Sequence, residues 1–349
     1  VAPDLPGVGI PADLLNNRPD LRAALTRVEA ADDTRDPASR PPAPDRDPRL
    51  DGLRGLAILL VMLYHLTLFQ SAQGSAQIAF TLIPSIGWSG VDLFFVLSGF
   101  LITGILLRSR GGEGYYRSFY ARRTLRIFPL YYATLLLFLV VVPQVEALSV
   151  LNWFWEPGSD RQGFWYWLYL SNVPPALTGR FEHQFLGITW SLAIEEHFYV
   201  IWPLVVSLAS RARLVQICVG VLIGALALRC VFIWGFPAPM AVYTLTPFRV
   251  DTLATGALIA LLARDAAALE RLTLVARWLL PASGLAIVGF LVWQRVATGQ
   301  ALAFIGSPLL QTFGYSLLCA FYGALLVRVL DAPPGSLRAR VFSWKPLRS

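Results

Sequence analysis

Five ionisable side chains are spaced so that they could act together. Arg54 and His65 stand eleven residues apart in RLDGLRGLAILLVMLYH, residues 49–65. On a helix that is about three full turns, so both side chains share one face, with His65 about 16 Å beyond Arg54. If Arg54 marks a membrane surface, His65 lies near the middle of a hydrocarbon core about 30 Å thick. Arg123 and Arg126 are three apart in YYRSFYARRTLRIFPLYY, residues 115–132. With Arg122 they form a cationic patch of the kind that grips phosphate, because each guanidinium fork binds two oxygens at once. Glu195 sits in ITWSLAIEEHFYVIWP, residues 188–203, about 8 Å inside its apolar run. His65 and Glu195 would then differ in depth by about 6 Å, within side-chain reach. A buried His–Glu pair of this kind fixes the imidazole tautomer and suits general base or nucleophilic chemistry. The spacing of Arg54 and His65 supports a second reading equally: a positive-inside anchor and a hydrogen-bonded core histidine.

The elements that must carry these groups are hydrophobic helices. The chain has 349 residues, 56% hydrophobic and 15% charged, with a mean hydropathy of +0.56. A soluble domain would carry about 25% charge. Apolar runs of near-spanning length predict an all-α polytopic membrane protein. Eight spans are expected, at residues 53–69, 85–107, 127–142, 189–208, 214–234, 248–263, 278–293 and 309–329. The Trp-rich piece 164–173 is too short to span and reads as interfacial or re-entrant. Counting it would reverse every later loop. Without it, most arginines fall on the side of the N-terminus, which is then cytoplasmic. The net charge of +7 is nearly all arginine, placed between apolar runs. That pattern fits topology and anionic lipid rather than nucleic acid.

Residues 1–47 form a separate region, disordered or partly helical, ahead of a membrane domain at 48–349. Its end is rich in Pro, Asp and Arg. Gly9–Ala24 resembles a short piece of outer-membrane efflux channel proteins and reads as a fusion remnant.

Other polar residues lie inside the apolar runs. Asp92 and Ser98 belong to GWSGVDLFFVLSGFLIT, residues 87–103. Ser98 has no local base, so helix packing is its better reading. Ser191 stands four residues before Glu195, on the same face. Glu196 points about 100° away, so the two carboxylates cannot face one site. Arg249 and Asp251 open TPFRVDTLATGALIALL, residues 246–262, as a local ion pair or as substrate contacts. His197 reads as an interfacial polar contact in preference to a second site residue. His183 has no ligand spacing to a partner, and no metal site is expected.

Taken in order, RLDGLRGLAILLVMLYH, GVDLFFVLSGFLIT, ARRTLRIFP, TWSLAIEEHFYVIWP and FRVDTLATGALIAL resemble the membrane acyltransferase-3 family. That family comprises bacterial enzymes that O-acylate surface saccharides. The resemblance covers about residues 49–348. It implies an inner-membrane enzyme of ten spans, so this chain, with eight, is expected to be incomplete at its C-terminus. It implies transfer of an acyl group, usually acetyl, from acetyl-CoA as co-substrate to a saccharide hydroxyl across the membrane, with no bound cofactor. Arg54 and His65 match the family's Arg-x10-His, Arg123 and Arg126 its basic Arg-x-x-Arg, and Glu195 the carboxylate of its Trp-Ser-Leu-x-x-Glu. His197 stands where the family commonly has Gln. The implied roles are phosphate binding for Arg54, Arg123 and Arg126, base or acyl carrier for His65, and orientation or relay for Glu195. Asp92, Ser98, Ser191, Arg249 and Asp251 would give support. The rival class is a non-enzymatic transporter or flippase of a saccharide precursor or small acid, since intramembrane His, Glu and Asp also suit proton-coupled transport. The acceptor sugar and the oligomeric state are not legible.

Overall fold

A computed structural model describes residues 47–68, 86–145, 163–181, 183–236, 238–298 and 307–347. The reading of residues 1–46 lies outside them. The first helix is α1, Pro48–Leu68. A 3-10 turn, Gly87–Ser89, leads into α2, Gly90–Ser109. Next comes α3, Tyr115–Leu135, which continues through a π-helical stretch, Leu136–Val141. Three short helices follow: α4, Gly163–Trp167; α5, Val173–Thr178; and α6, Gln184–Gly187. Then come α7, Thr189–Leu208, and α8, Arg211–Gly235. The short α9, Pro239–Thr244, precedes α10, Thr246–Leu262. The long α11 covers Ala266–Thr298, α12 covers Tyr315–Leu330, and α13 covers Leu337–Phe342.

Seven stretches among the described residues are long and apolar enough to cross a membrane: Gly87–Ser109, Tyr115–Gln144, Phe185–Leu208, Arg211–Gly235, Pro239–Leu262, Ala266–Gln294 and Leu310–Leu330. They coincide with seven of the eight expected spans. The eighth, α1, is helical but is not among them. Its first turns carry Arg49, Asp51 and Arg54. The uncharged part from Gly55 to Leu68 rises only about 21 Å. The piece at 164–173 is not among the seven either: it carries most of the short α4, a turn and the first residue of α5.

Two boundaries differ from expectation. The basic stretch after α2 is not a loop. Gly114, with φ of 72°, ends the turn, and α3 begins at Tyr115. Hydropathy hid this start because arginines interrupt the apolar run while leaving helix propensity intact. The long α11 likewise begins at Ala266, twelve residues before its apolar run.

The buried centre is α2 against α10. Gly99 and Gly256 let the backbones touch. A Cβ on Gly99 would meet the Leu253 carbonyl oxygen at 1.9 Å, and one on Gly256 the Val96 carbonyl oxygen at 1.9 Å. The two helices run parallel, because the Asp92–Arg249 contact and the Gly99–Gly256 crossing share one sequence offset. Around this centre, α3, α8 and α11 turn large apolar side chains outward, among them Leu130, Ile223 and Val288. Such faces belong against lipid.

The first helix runs antiparallel to α2. Gly87, ahead of α2, packs on Leu60 and Tyr64, near the far end of α1. At the near end, Gly52 and Gly55 lie under the carbonyls of Phe342 and Leu347. There the Arg49 guanidinium donates to the carbonyls of Val329 (3.2 Å), Leu330 (3.2 Å) and Ala332 (2.9 Å), covering the exposed carbonyls at the end of α12.

Candidate functional site

Glu195 occupies the second turn of α7 and is buried against α2. The Ser98 hydroxyl donates to its Oε1. Tyr199, one turn on, interacts with both side chains. The expectation that Ser98 serves packing alone is thereby corrected: a carboxylate stands at hydrogen-bond distance, supplied from 97 residues away. Sequence spacing could not reveal a contact between two separate spans.

Arg123 connects this pair to the basic end of the bundle. Its guanidinium lies over the Tyr199 ring at 5.2 Å and the Phe119 ring at 6.0 Å. Glu195, Arg126 and Arg54 all lie within its Coulombic reach. The helical geometry of α3 puts Arg123 and Arg126 on neighbouring positions, as the three-residue spacing required. Arg126 is exposed, whereas Arg123 turns inward. Arg54 is held by Asp51 one turn earlier, at 3.0 Å. Arg54 and Arg126, from two helices, thus gather about Arg123, which alone of the three is set against the Glu195 carboxylate, and forked guanidinium groups clustered this way suit phosphate.

His65 is not part of that cluster. Its Nδ1–H donates to the Val61 carbonyl at 2.8 Å, within α1. In the neutral ring, Nε2 therefore carries the lone pair. Tyr64 presents an edge to the imidazole at 5.4 Å. No hydrogen bond joins His65 to Glu195 among the described residues, so the expected buried pair is not formed. The reason lies in register. Tyr64 packs at Gly87, ahead of α2, while Ser98 lies eleven residues further along, about 16 Å of helix. Arg54 is half-buried by protein, with the C-terminal turn Lys345–Leu347 over its neighbour Gly55.

The supporting residues are paired differently from expectation. Arg249 does not bond Asp251. It pairs with Asp92 at 2.9 Å, both fully buried, and its guanidinium stacks on the Tyr315 ring at 3.9 Å. Asp251 pairs instead with Arg229 of α8 at 2.7 Å. On a helix, residues two apart point about 200° from each other, so a local pair was sterically excluded. Arg229 also donates to the carbonyls of Phe248 (2.5 Å) and Thr312 (3.2 Å) and to the Ser316 hydroxyl (2.7 Å). Its position inside the apolar run LALRCVF is the signal that could have marked it. Ser191 donates to the Ile188 carbonyl at 3.2 Å and does not reach Glu195.

Glu196 faces away from Ser98, as its angle required. It lies within Coulombic reach of Tyr131, Tyr132 and Tyr169. Tyr169 holds a left-handed φ of 55°. His197 maintains it: Nε2–H donates to the Tyr169 carbonyl at 3.0 Å, and Nδ1 takes the Thr246 hydroxyl at 2.6 Å. The reading of His197 as a polar contact holds, within a buried network. Burial, reinforced by the charge of Glu196, pushes the Tyr169 phenol up, so it stays a donor.

The sequence that builds this site matches a known family. A family model described as an acyltransferase domain matches residues 47–344, and the chain belongs to that family. Among its relatives is the peptidoglycan O-acetyltransferase OatA of Listeria monocytogenes serovar 1/2a, 30% identical over 320 residues, which are 86% of this chain and 46% of that protein. YrhL of Bacillus subtilis (strain 168) is 31% identical over 316 residues, again 86% of this chain and 46% of the relative. SACOL0978 of Staphylococcus aureus (strain COL) is 33% identical over 226 residues, 62% of this chain and 34% of the relative. The chain spans about half the length, or less, of these curated relatives. No solved structure matches it.

Proposed function

We propose that the chain is the membrane part of a bacterial inner-membrane O-acyltransferase, with its N-terminus in the cytoplasm. It takes an acyl group, acetyl in the simplest case, from acyl-CoA and passes it to a saccharide hydroxyl on the far side. The names of its relatives make peptidoglycan the acceptor to test first. The observation that carries the reading is the cluster of Arg54 and Arg126 about Arg123, which in turn reaches the Glu195–Ser98 pair. The arginines hold the CoA phosphates, and the acyl-pantetheine arm extends inward along α1. His65, with Nε2 available, takes the proton from the acceptor hydroxyl as the acyl carbon–sulfur bond breaks and the ester bond forms. The thiolate leaving group is reprotonated as CoA departs. Glu195 positions Arg123 at the donor end rather than pairing with His65.

The test is transfer of label from acetyl-CoA by membranes containing the whole protein. Label in saccharide, lost in His65→Ala without loss of membrane insertion, is the expected result. Solute movement that needs no CoA, with no label in saccharide, would overturn the reading in favour of a carrier.

A further inference from the structure

The cluster around Glu196 has features that neither packing nor lipid contact explains. Two stacked aromatic pairs stand side by side: Tyr131 on Tyr169, with centroids 4.2 Å apart, and Tyr132 on Trp167 at 5.9 Å. Tyr131 anchors the short α4 by donating to the Tyr166 carbonyl at 2.7 Å, and Tyr132 donates to the Trp167 carbonyl at 3.2 Å. The first pair has its Tyr residues buried, while Tyr132 and Trp167 are only half-buried. Beneath them, the Glu196 Oε1 and the Tyr169 hydroxyl are both buried and without a hydrogen-bond partner. Glu196 is 9% exposed and Tyr169 8%. One is an acceptor and the other a donor, within Coulombic reach but not bonded to each other. Buried polar groups left this way ask for an occupant. Tyr169 is kept there in a backbone conformation that bulky residues rarely adopt, a feature that concentrates at functional sites.

The occupant must accept from a phenol and donate to a carboxylate. A hydroxyl does both. An anion would meet Glu196 unfavourably. The flanking rings suit a ligand with flat C–H faces, and a pyranose supplies both faces and hydroxyls. We infer that Glu196, Tyr131, Tyr132, Trp167 and Tyr169, braced by His197, form the binding site of the acceptor saccharide. The half-buried rings take the face of one sugar, and the unpaired Glu196 Oε1 and Tyr169 hydroxyl take one of its hydroxyls. Arg123 lies within Coulombic reach of Glu195 and of Glu196, so the donor's arginines and this site share a boundary. The inference rests on the acyl-transfer reading and names its acceptor side.

The experiment uses the full protein in nanodiscs, labelled acetyl-CoA, and muramidase-released peptidoglycan fragments as the probe. Trp167→Ala should raise the KM for fragments about tenfold with the KM for acetyl-CoA unchanged. Trp167→Phe, which keeps a ring face, should recover most of that loss. Glu196→Gln should also raise the fragment KM while leaving the donor KM unchanged. Wild-type fragment KM in both Trp167→Ala and Glu196→Gln overturns the site and leaves these rings as a membrane-interface belt. Equal changes in donor and fragment KM overturn it too. Absence of label transfer by the wild-type protein to any saccharide removes the acyl-transfer reading, and this site with it. Each variant is compared at equal monodisperse yield, and Trp167→Phe serves where Trp167→Ala does not fold.

Discussion

The Ser98 hydroxyl donates to the Glu195 carboxylate across the contact of α2 and α7. Both residues sit in apolar helices, and the pair joins them deep in the bundle. Removing the donor leaves a buried carboxylate oxygen without its partner, at a cost of about 1–3 kcal/mol. Ser98→Ala is therefore expected to lower the thermal midpoint in detergent. Ser98→Thr, which keeps the hydroxyl, should lower it less. Equal midpoints for Ser98→Ala and wild type would remove the bond from the stability account.

His65 offers Nε2 because Nδ1–H is committed to Val61. Loss of a general base lowers rate by about 10²–10⁴-fold. His65→Ala should show that loss in saccharide labelling while its membrane content and proteolytic pattern match wild type. His65→Gln should not rescue it, since an amide cannot take the proton. Near-normal labelling by His65→Ala sinks the assignment.

Arg126 is exposed and Arg123 is inward, and their substitutions should be separable. Arg126→Ala should raise the donor KM most at low salt, because exposed charges are screened over about 10 Å at 0.1 M. The effect of Arg123→Ala should change less with salt. An unchanged donor KM in Arg123→Ala excludes that residue from the donor site.

The ion pair of Asp92 with Arg249 is fully buried. Breaking one such partner costs about 3–5 kcal/mol, while replacing both can be nearly neutral. Arg249→Met should reduce the folded yield more than the double variant Asp92→Leu with Arg249→Met. A double variant worse than both single variants would show that the pair itself stabilises the bundle.

Gly99 and Gly256 can be tested by adding a methyl group. Gly99→Ala places its Cβ on the Leu253 carbonyl, whereas Gly220→Ala, on the open side of α8, meets nothing within 4 Å. The first should lower the thermal midpoint sharply. The second should leave it equal or raise it, since Ala favours helix by about 1 kcal/mol over Gly. A harmless Gly99→Ala would mean that the two helices can separate at no cost.

Most of the fold was legible because a bilayer demands long apolar helices, and runs such as 85–107 and 309–329 could be little else. What hydropathy hid were helix starts rich in charge, at Tyr115 and Ala266. The site was legible in its residue types but not in its pairings. The spacing of Arg123 and Arg126 is a property of one helix and was readable. The bonds of Ser98 to Glu195 and of Asp92 to Arg249 join separate helices, and only the packed bundle sets them. The pairing of His65 with Glu195 was not readable for a related reason: the sequence does not state how far α1 is shifted against α7. Tyr169 was missed because a left-handed tyrosine has no sequence signal.

Arg229, Asp251, Arg249 and Asp92 are four buried charges that cancel where α2 and α10 begin and α8 ends. Moving one unit charge through a membrane potential is worth about 2.3 kcal/mol per 100 mV. A cluster of zero net charge feels almost no such force. That junction of helices is thus electrically silent. A potential across the bundle would not pull on the contact that holds α2, α8, α10 and α12 together.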